Sequence, residues 1–206
     1  MPRVESSSPT AGEHVDAALK VLGIMGSPRI KGNSDLLLEE ALRGAREQQA
    51  ETEKIVVDKL NLTACREYYA CLRDGKCVIK DDMDAIYRKL LEADAIIVAS
   101  PIFFYTVSAQ LMLLISRCQA IWARKYVLKD LDVPMRKGAF IAVGATKGQK
   151  LFDGPRLTMH YFFQAINVEY KEELLVRGVD KKGEIKDHPD MLAAAFELGK
   201  RIAAPG

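Results

Sequence analysis

A loop rich in glycine, serine and basic residues follows the first apolar run of the sequence. The segment Gly26–Ser34, GSPRIKGNS, comes directly after Val21–Met25 and precedes residues with helical apolar spacing. Backbone N–H groups at a helix N-terminus have no partner within the helix, and the helix dipole places partial positive charge there. Such a loop can bind a phosphate, with Arg29 as a fixed cation. The same residues could instead form an ordinary turn between a strand and a helix.

Short polar side chains in this loop would add hydrogen-bond donors for such a phosphate. Ser27, Asn33 and Ser34 carry those side chains, and Gly32 lets the backbone approach a ligand closely. Asn33 or Ser34 is predicted to cap the helix that follows. The loop lacks both the Gly-Lys-Ser/Thr ending of a P-loop and the G-x-G-x-x-G fingerprint. The residues alone therefore leave the phosphate site and the ordinary turn both open.

A second loop with unusual chemistry runs from Ser100 to Ser108, SPIFFYTVS. Three adjacent aromatic residues are hard to bury in a loop, and a flat ring system would offer them a stacking partner. Local core packing is the alternative. A further loop, which begins with Thr146 and Lys147, is predicted at the same edge of the sheet. Lys147 could favour negative charge on a bound group, or it could be an ordinary exposed lysine.

Three of the four cysteines lie close together in the sequence. In a reducing compartment, free thiols or metal ligands are more common than disulfides. Cys65, Cys71 and Cys77 could therefore bind a metal, such as zinc with a fourth ligand from outside. They could equally be small apolar side chains in a partly buried loop. The fourth thiol, Cys118, lies on a predicted helix.

The histidines do not form a recognisable catalytic pair with a nucleophile. His160 and Tyr161 lie on a predicted helix beside two phenylalanines, with no carboxylate at helical spacing to orient the imidazole. A half-buried packing role is therefore favoured over a catalytic one. His188, which precedes Pro189, is interpreted as a residue of the helix-cap region.

Alternating strands and helices are predicted along the chain. The strands are predicted at 19–26, 54–60, 94–100, 138–145 and 169–178, and the helices at 34–49, 81–91, 108–123, 155–166 and 189–203. Pro101 is expected to end the third strand, and residues 102–107 to form a loop. Such alternation is typical of right-handed βαβ units around a parallel sheet. The loops that follow the strands then meet at one edge of that sheet.

Length and composition restrict the class of protein. The sequence has 206 residues, 49% of them hydrophobic and 28% charged, which suits one globular domain. A net charge of +2 without long runs of Lys or Arg gives no nucleic-acid footprint. No stretch reaches the ~18 apolar residues of a membrane-spanning helix. Because the N-terminus also lacks an apolar signal segment, we expect a cytoplasmic protein with a flexible tail at residues 1–15 and one domain at residues 16–206.

Two segments of the chain resemble a known family. GSPRIKGNS resembles the FMN phosphate loop of the flavodoxin-like NAD(P)H-dependent FMN reductases. DDMDAIYRKLLEADAIIVASPIFFYTVSAQLMLLISR and the cysteines before it strengthen the resemblance, and the chain looks most like the iron–sulfur flavoproteins and their cluster-free relatives. Together the matches cover most of residues 18–203. The resemblance implies an α/β fold, a flavodoxin-like three-layer sandwich with a five-stranded parallel sheet of order 2-1-3-4-5.

The resemblance also implies FMN as the cofactor and NAD(P)H as a substrate. It implies an oxidoreductase that takes a hydride from NAD(P)H and passes electrons to a quinone or other small acceptor, with no catalytic side chain beyond the flavin. The alternative is an electron-transfer flavoprotein, with or without an iron–sulfur cluster, that has a ferredoxin-like partner; the net charge of +2 argues against the acidic flavodoxin type. A homodimer or homotetramer is implied as well. The FMN-binding candidates are Ser27, Arg29, Gly32, Asn33, Ser34, Pro101, Ile102, Phe103, Phe104, Ser108, Thr146 and Lys147.

The cysteine pattern departs from that of the iron–sulfur flavoproteins. They carry C-x2-C-x2-C followed by a fourth cysteine, and the corresponding positions here are Cys65, Tyr68, Cys71 and Cys77. A [4Fe–4S] cluster normally needs four thiolates, and a phenolate has little affinity for it compared with a thiolate. We therefore expect FMN without a stable [4Fe–4S] cluster.

Overall fold

The computed structural model describes residues 18–204. The strands are β1 (Lys20–Met25), β2 (Glu51–Val56), β3 (Ala95–Phe103), β4 (Thr106–Val107), β5 (Arg136–Gly144) and β6 (Val168–Arg177). Five of them form a parallel sheet in the order β2-β1-β3-β5-β6, and the two-residue β4 pairs antiparallel with the end of β3. Counted in chain order, the parallel strands have the predicted order 2-1-3-4-5. The predicted sheet is therefore confirmed, and the tail predicted at residues 1–15 lies outside the described residues.

Helices cover both faces of this sheet. They are α1 (Asn33–Glu47), α2 (Cys71–Asp74), α3 (Met83–Glu92), α4 (Ala109–Arg117), α5 (Gln119–Ala123), α6 (Asp153–Ala165) and α7 (Pro189–Ala203). α1 and α7 pack against one face, whereas α3, α4 and α6 pack against the other. The flavodoxin-like three-layer sandwich is therefore confirmed. Within residues 18–204, every helix is too short or too polar to cross a membrane.

The central strand β3 shows why the apolar runs of this sequence form parallel strands. Every side chain from Ala95 to Ser100 is at most 1% exposed. Ile96 and Val98 join the core beneath α3, α4 and α6, whereas Ile97 and Ala99 join the core beneath α1 and α7. A strand covered on both faces needs a continuous apolar run rather than an alternating one. Each buried aliphatic side chain of this size contributes roughly 1.5–3 kcal/mol.

Two strands, the second and the third, have boundaries that differ from the prediction by three or four residues. The second strand is Glu51–Val56 rather than 54–60, because the chain turns into a 3-10 helix at Val57–Lys59. Pro101 does not end the third strand, which continues to Phe103. β1 ends opposite Ala99, so beyond that point β3 has a parallel neighbour only on the β5 side. A proline is tolerated there because one side of the strand needs no N–H donor.

The single helix predicted at 108–123 is also wrong, because two helices occupy that segment. α4 ends at Arg117 and α5 begins at Gln119, with Cys118 between them at ψ 0°. The Cys118 N–H donates to the carbonyl of Ile115 at 3.0 Å, three residues back, as in a 3-10 turn. A π-helix, Arg124–Leu128, follows α5 directly.

Helices α1 and α7 approach each other at two glycines. A Cβ atom on Gly44 would lie 1.9 Å from the carbonyl oxygen of Phe196, and one on Gly199 would lie 1.8 Å from that of Ala41. The two backbones can pack this closely only because neither glycine has a side chain. This contact fixes α1, whose N-terminus follows the predicted phosphate loop.

We expect Gly199→Ala to lower the free energy of unfolding by about 1–3 kcal/mol, because the added methyl group must force α1 and α7 apart. Alanine favours a helix over glycine by about 1 kcal/mol, so any loss would arise from the packing. Urea denaturation measures the change. Glu197→Ala, on the exposed side of α7, is the matched control and should change stability by less than about 0.5 kcal/mol. A Gly199→Ala protein as stable as wild type would contradict the packing argument.

Candidate functional site

The loop after β1, the carboxyl ends of β3 and β5 and the segment after β6 surround one cleft of about 140 Å³ at the carboxyl edge of the sheet. In a doubly wound sheet this edge is where ligands bind, at the point where the strand order reverses. The reversal here lies between β1 and β3. The cleft is lined by Ser27, Arg29, Gly32, Asn33, Ser34, Pro101, Ile102, Phe103, Val143, Ala145, Val179, Asp180 and Lys182.

The loop between β1 and α1 presents backbone donors to this cleft. Gly32, rather than the predicted Asn33 or Ser34, is the N-cap of α1 and offers no side chain to the helix. Within residues 18–204, the N–H groups of Asn33, Ser34 and Asp35 have no hydrogen-bond acceptor. Together with the helix dipole, these donors form an anion-binding arrangement. The geometry therefore favours the phosphate site over the ordinary turn.

Tight turns shape this loop. Gly32 donates its N–H to the carbonyl of Arg29 at 2.9 Å, and a Cβ atom on Gly32 would lie 2.8 Å from that oxygen. The Arg29 N–H donates to Ser27 Oγ at 3.2 Å. Of the residues that line the cleft, Ser27 and Ser34 are buried, at 4% and 3% exposed, whereas Arg29 is exposed.

The Asn33 side chain has a role that the sequence did not reveal. Its amide nitrogen donates to the carbonyl of Lys181 at 3.0 Å, and its amide oxygen accepts from the N–H of Ile185 at 3.2 Å. These bonds attach the segment after β6 to the start of α1. What Asn33 offers a phosphate in this arrangement is its backbone N–H rather than its side chain.

The segment after β6 contributes residues that sequence reasoning missed. Asp180 and Lys182 line the cleft opposite Ser27 and Ser34. The segment turns at Gly178 and at Gly183, whose φ angles are +75° and +81°. A glycine at the end of the predicted strand and a second glycine five residues later are a turn signal, and they indicate locally that this segment changes direction.

The aromatic loop after β3 is a tight hairpin. Phe104 and Tyr105 form its two-residue turn with φ angles of 48° and 61°, which indicates a type I′ turn built without glycine. Phe104 is fully exposed, and Phe103 is 45% exposed. Tyr105 lies over the loop after β5, since a Cβ atom on Gly148 would be 2.8 Å from its hydroxyl oxygen. The hairpin thus presents aromatic surface beside the cleft.

Not every predicted site residue lines the cleft. Ser108 is completely buried; its Oγ donates to the carbonyl of Gly26 and accepts from the N–H of Leu111 at 3.2 Å. It therefore joins α4 to the phosphate loop. Thr146 and Lys147 are exposed on the loop after β5, next to the lining residue Ala145. Pro101, Ile102 and Phe103 line the cleft.

Residues of the segment that carries the three cysteines line a second cavity of about 720 Å³. Cys65, Cys71 and Cys77 line it together with Tyr68. Burial, with the nearby thiols of Cys77 and Cys65, raises the pKa of the Cys71 thiol. Cys118 is 2% exposed, and its thiol donates to the carbonyl of Leu114 at 3.4 Å, so it packs as a core residue. Within residues 18–204, no three His, Cys, Asp or Glu side chains are arranged to hold a metal ion.

The cysteine segment is fixed by a buried arginine on α4. Arg117 Nη1 donates to Asp81 Oδ2 at 2.6 Å and to the carbonyl of Thr63 at 2.8 Å, and Nη2 donates to the carbonyl of Ile79 at 3.2 Å. Both side chains of this ion pair are at most 4% exposed. The pair therefore holds both ends of the segment that carries the three cysteines.

His160 and Tyr161 do not have the predicted half-buried packing role. Both are exposed on α6, with ring centroids 5.2 Å apart. The buried face of α6 consists of Met159, Phe162 and Phe163, which leaves positions 160 and 161 on the outer face.

Comparisons with known proteins identify a matching family, related sequences and similar folds. The sequence profile of the NADPH-dependent FMN reductase family matches residues 19–168. An iron-sulfur flavoprotein of Methanocaldococcus jannaschii is 40% identical over 195 residues, which cover 90% of this chain and 96% of the relative. A Bacillus subtilis protein named as an NAD(P)H-dependent FMN-containing oxidoreductase is 26% identical over 90% of this chain and 99% of its own length. Among solved structures, an NAD(P)H:quinone oxidoreductase from Methanothermobacter marburgensis has a similar fold, with a TM-score of 0.69 at 15% identity over 92% of this chain and 98% of that one.

We expect Asp81→Asn to destabilise the protein at neutral pH by about 3–5 kcal/mol, because Arg117 would keep a buried, unpaired charge. Burial opposes the Asp81 charge, but hydrogen bonds from Arg117 and from the N–H groups of Thr63 and Met83 outweigh it and lower the pKa of Asp81. The stabilisation should therefore be complete above about pH 4, the ordinary pKa of an unfolded-chain aspartate, and should fade as the pH falls toward the lowered value.

Urea denaturation between about pH 2.5 and pH 7 measures this difference. The difference in the free energy of unfolding between wild type and Asp81→Asn should become smaller at the acid end of this pH range. Asp84→Asn is the matched control, because Asp84 is half exposed and forms only a surface pair with Lys80. Stability curves of wild type and Asp81→Asn that stayed parallel throughout would show that the pair does not act in this way.

Proposed function

The chain belongs to the family of NADPH-dependent FMN reductases, and from this premise we propose that it binds FMN at the cleft after β1, β3 and β5 and transfers electrons from NAD(P)H to a quinone or other small acceptor. The observation that carries the proposal is the set of three backbone N–H groups, at Asn33, Ser34 and Asp35, that start α1 without acceptors. Asn33 and Ser34 line a cleft whose other walls are the end of β3 and the segments after β5 and β6.

The residues at the cleft fit an FMN phosphate. The N–H groups at the start of α1 and the hydroxyl groups of Ser27 and Ser34 would bind its oxygens, and Arg29 and Lys182 would balance its charge. Such charge-assisted hydrogen bonds are worth about 1.5–3 kcal/mol each. Gly32 allows the tight turn of this loop, because a Cβ atom there would lie 2.8 Å from the carbonyl oxygen of Arg29. The donor set is thus suited to a dianion rather than to a neutral ligand.

The ring system of the cofactor would lie beside the hairpin. Pro101, Ile102 and Phe103 line the cleft, and Phe104 next to them supplies exposed aromatic surface. Thr146 and Lys147 would lie at the other side of the ring. When bound, FMN would supply the redox chemistry by accepting a hydride from NAD(P)H and releasing electrons to the acceptor. The side chains of this protein would bind and orient the reactants rather than act as a nucleophile.

A second candidate function is electron transfer with a ferredoxin-like partner. The 40% identity to an iron-sulfur flavoprotein favours it. The net charge of +2 argues against it, because carriers of the flavodoxin type are usually strongly acidic. A homodimer or homotetramer is part of the proposal for either function, and exposed Met112, Leu157 and Tyr161 on α4 and α6 support such an assembly.

The experiment that tests the proposed function is anaerobic stopped-flow mixing of the FMN-loaded protein with NADPH and with NADH. We expect at least one of them to bleach the absorption of the oxidised flavin, because the hairpin leaves aromatic surface open to a nicotinamide ring. Steady-state oxidation of the same nucleotide with a quinone should follow, above the rate given by free FMN. Protein that neither nucleotide reduces, but that a reduced ferredoxin reduces rapidly, would favour the carrier function instead.

We further propose that the chain has no stable [4Fe–4S] cluster, although a relative is named for one. The residues present do not fit the group. Three thiols line the cysteine cavity, the fourth is a buried core residue of α4–α5, and Tyr68 lies in the cavity where the resemblance places the second ligand. A cluster normally needs four thiolates.

Anaerobic purification followed by iron and sulfide analysis tests this. We expect well below four irons per chain for wild type, and a rise toward four in Tyr68→Cys, which completes the thiolate set. Tyr69→Cys is the matched control, because it adds a thiol to the same cavity at the neighbouring position. About four irons and four sulfides in the wild-type protein would refute the proposal.

A further inference from the structure

We propose that Asp35 is a positioning residue, which holds the phosphate loop in its binding shape through the backbone of Lys31. The inference rests on the proposed function, because it assigns a role in FMN binding to a residue that would not touch the reacting atoms. Asp35 is the third residue of α1, and its side chain is directed back toward the loop before the helix.

The first observation is the backbone of Lys31. Its φ angle is +56°, in the left-handed region that a residue with a side chain occupies only at a cost. Such a conformation persists where the surrounding structure enforces it. Asp35 Oδ2 accepts the N–H of Lys31 at 2.7 Å, so this bond joins the Lys31 peptide group to α1. The carboxylate therefore holds the loop at its most strained residue.

The second observation is that this bond differs from an ordinary helix cap. In a capping box the third helical residue binds the N–H of the N-cap residue. Here the N-cap is Gly32, whose N–H already donates to Arg29 O at 2.9 Å. Asp35 instead binds the residue before the cap, so the two bonds fix consecutive peptide groups. Together they orient the free N–H groups of α1 toward the cleft.

The third observation concerns charge. Asp35 is 4% exposed, and a carboxylate beside a phosphate site repels the ligand. Lys54 on β2 offsets that charge with its ammonium 2.9 Å from Asp35 Oδ1, and it also contacts Glu39. Although partial burial opposes its charge, hydrogen bonds to Glu39 and Asp35 raise the pKa of Lys54. Because Lys54 balances its charge, the Asp35 carboxylate is suited to position the loop rather than to attract an anion.

A double-mutant cycle between Asp35 and Lys31 tests the proposal, with the FMN dissociation constant of the apo-protein measured by quenching of flavin fluorescence. Asp35→Ala should weaken FMN binding about tenfold to a hundredfold, because the loop must then be ordered at the moment of binding. Lys31→Gly alone should change it only a few-fold. In the Asp35→Ala background, Lys31→Gly should restore binding to within about fivefold of wild type, because glycine adopts a positive φ without the penalty.

Three further variants separate positioning from charge and from folding. Asp35→Asn keeps an oxygen that can accept the Lys31 N–H and should retain most of the affinity. Glu39→Ala removes the other acid that contacts Lys54 without touching the loop, so it should bind FMN nearly as wild type does. Asp35→Ser is polar but too short to reach Lys31, and it replaces Asp35→Ala in the cycle if the alanine variant does not fold.

Two outcomes would overturn the inference without affecting the proposed function. The first is wild-type affinity for FMN in both Asp35→Ala and Asp35→Ser. The second is that the effects of the Asp35 and Lys31 substitutions on the logarithm of the dissociation constant simply add. Wild-type protein that bound no FMN would overturn the proposed function and the inference with it. Wild-type binding with an additive cycle would leave the proposed function intact. Thermal unfolding of each apo-variant, recorded alongside, shows whether a loss of affinity reflects a loss of folding.

Discussion

Among residues 18–204, three backbone N–H groups at the start of α1 have no acceptor, and the residues around them are arranged to keep those groups free. A side chain at the N-cap would compete for them, and the N-cap is Gly32. The polar side chains nearby bind elsewhere: Asn33 binds the segment after β6, and Asp35 binds Lys31. Because the donors are backbone groups, their direction depends on the shape of the loop rather than on any one side chain. The surrounding structure must therefore fix the conformation of this loop.

Buried polar bonds supply much of that rigidity. Ser108 accepts the N–H of Leu111 and donates to the carbonyl of Gly26, while its own N–H donates to Ser100 Oγ at 3.1 Å. Ser100 and Ser108 are fully buried, so water does not compete for these bonds. They connect the end of β1, the hairpin after β3 and the start of α4. The aromatic surface beside the cleft is thus coupled to the phosphate loop through a satisfied network, not through contact between exposed side chains.

Features of the fold and of the site that depend on adjacent residues could be predicted from the sequence, whereas features that depend on residues far apart in the sequence could not. The apolar run at Val21–Met25 and the loop after it depend on adjacent residues, and they were predicted correctly. The partners of Asn33 lie 148 and 152 residues away, and no local pattern indicates them. Pro101 shows a third situation: its missing N–H usually ends a strand, but here the neighbouring strand β1 has already ended. Register between strands decided that boundary, and register is a property of the assembled sheet.

The cysteine segment illustrates the same dependence on distant contacts. Its ends are held by Arg117, which binds the carbonyls of Thr63 and Ile79 and the carboxylate of Asp81. These bonds come from α4, which is positioned by Ser108 at its N-terminus. The ends of the segment are therefore held by side-chain bonds from the flavodoxin-like core. These bonds hold the ends of the segment whether or not the thiols between them bind a metal, so the proposed absence of a cluster is compatible with an ordered segment.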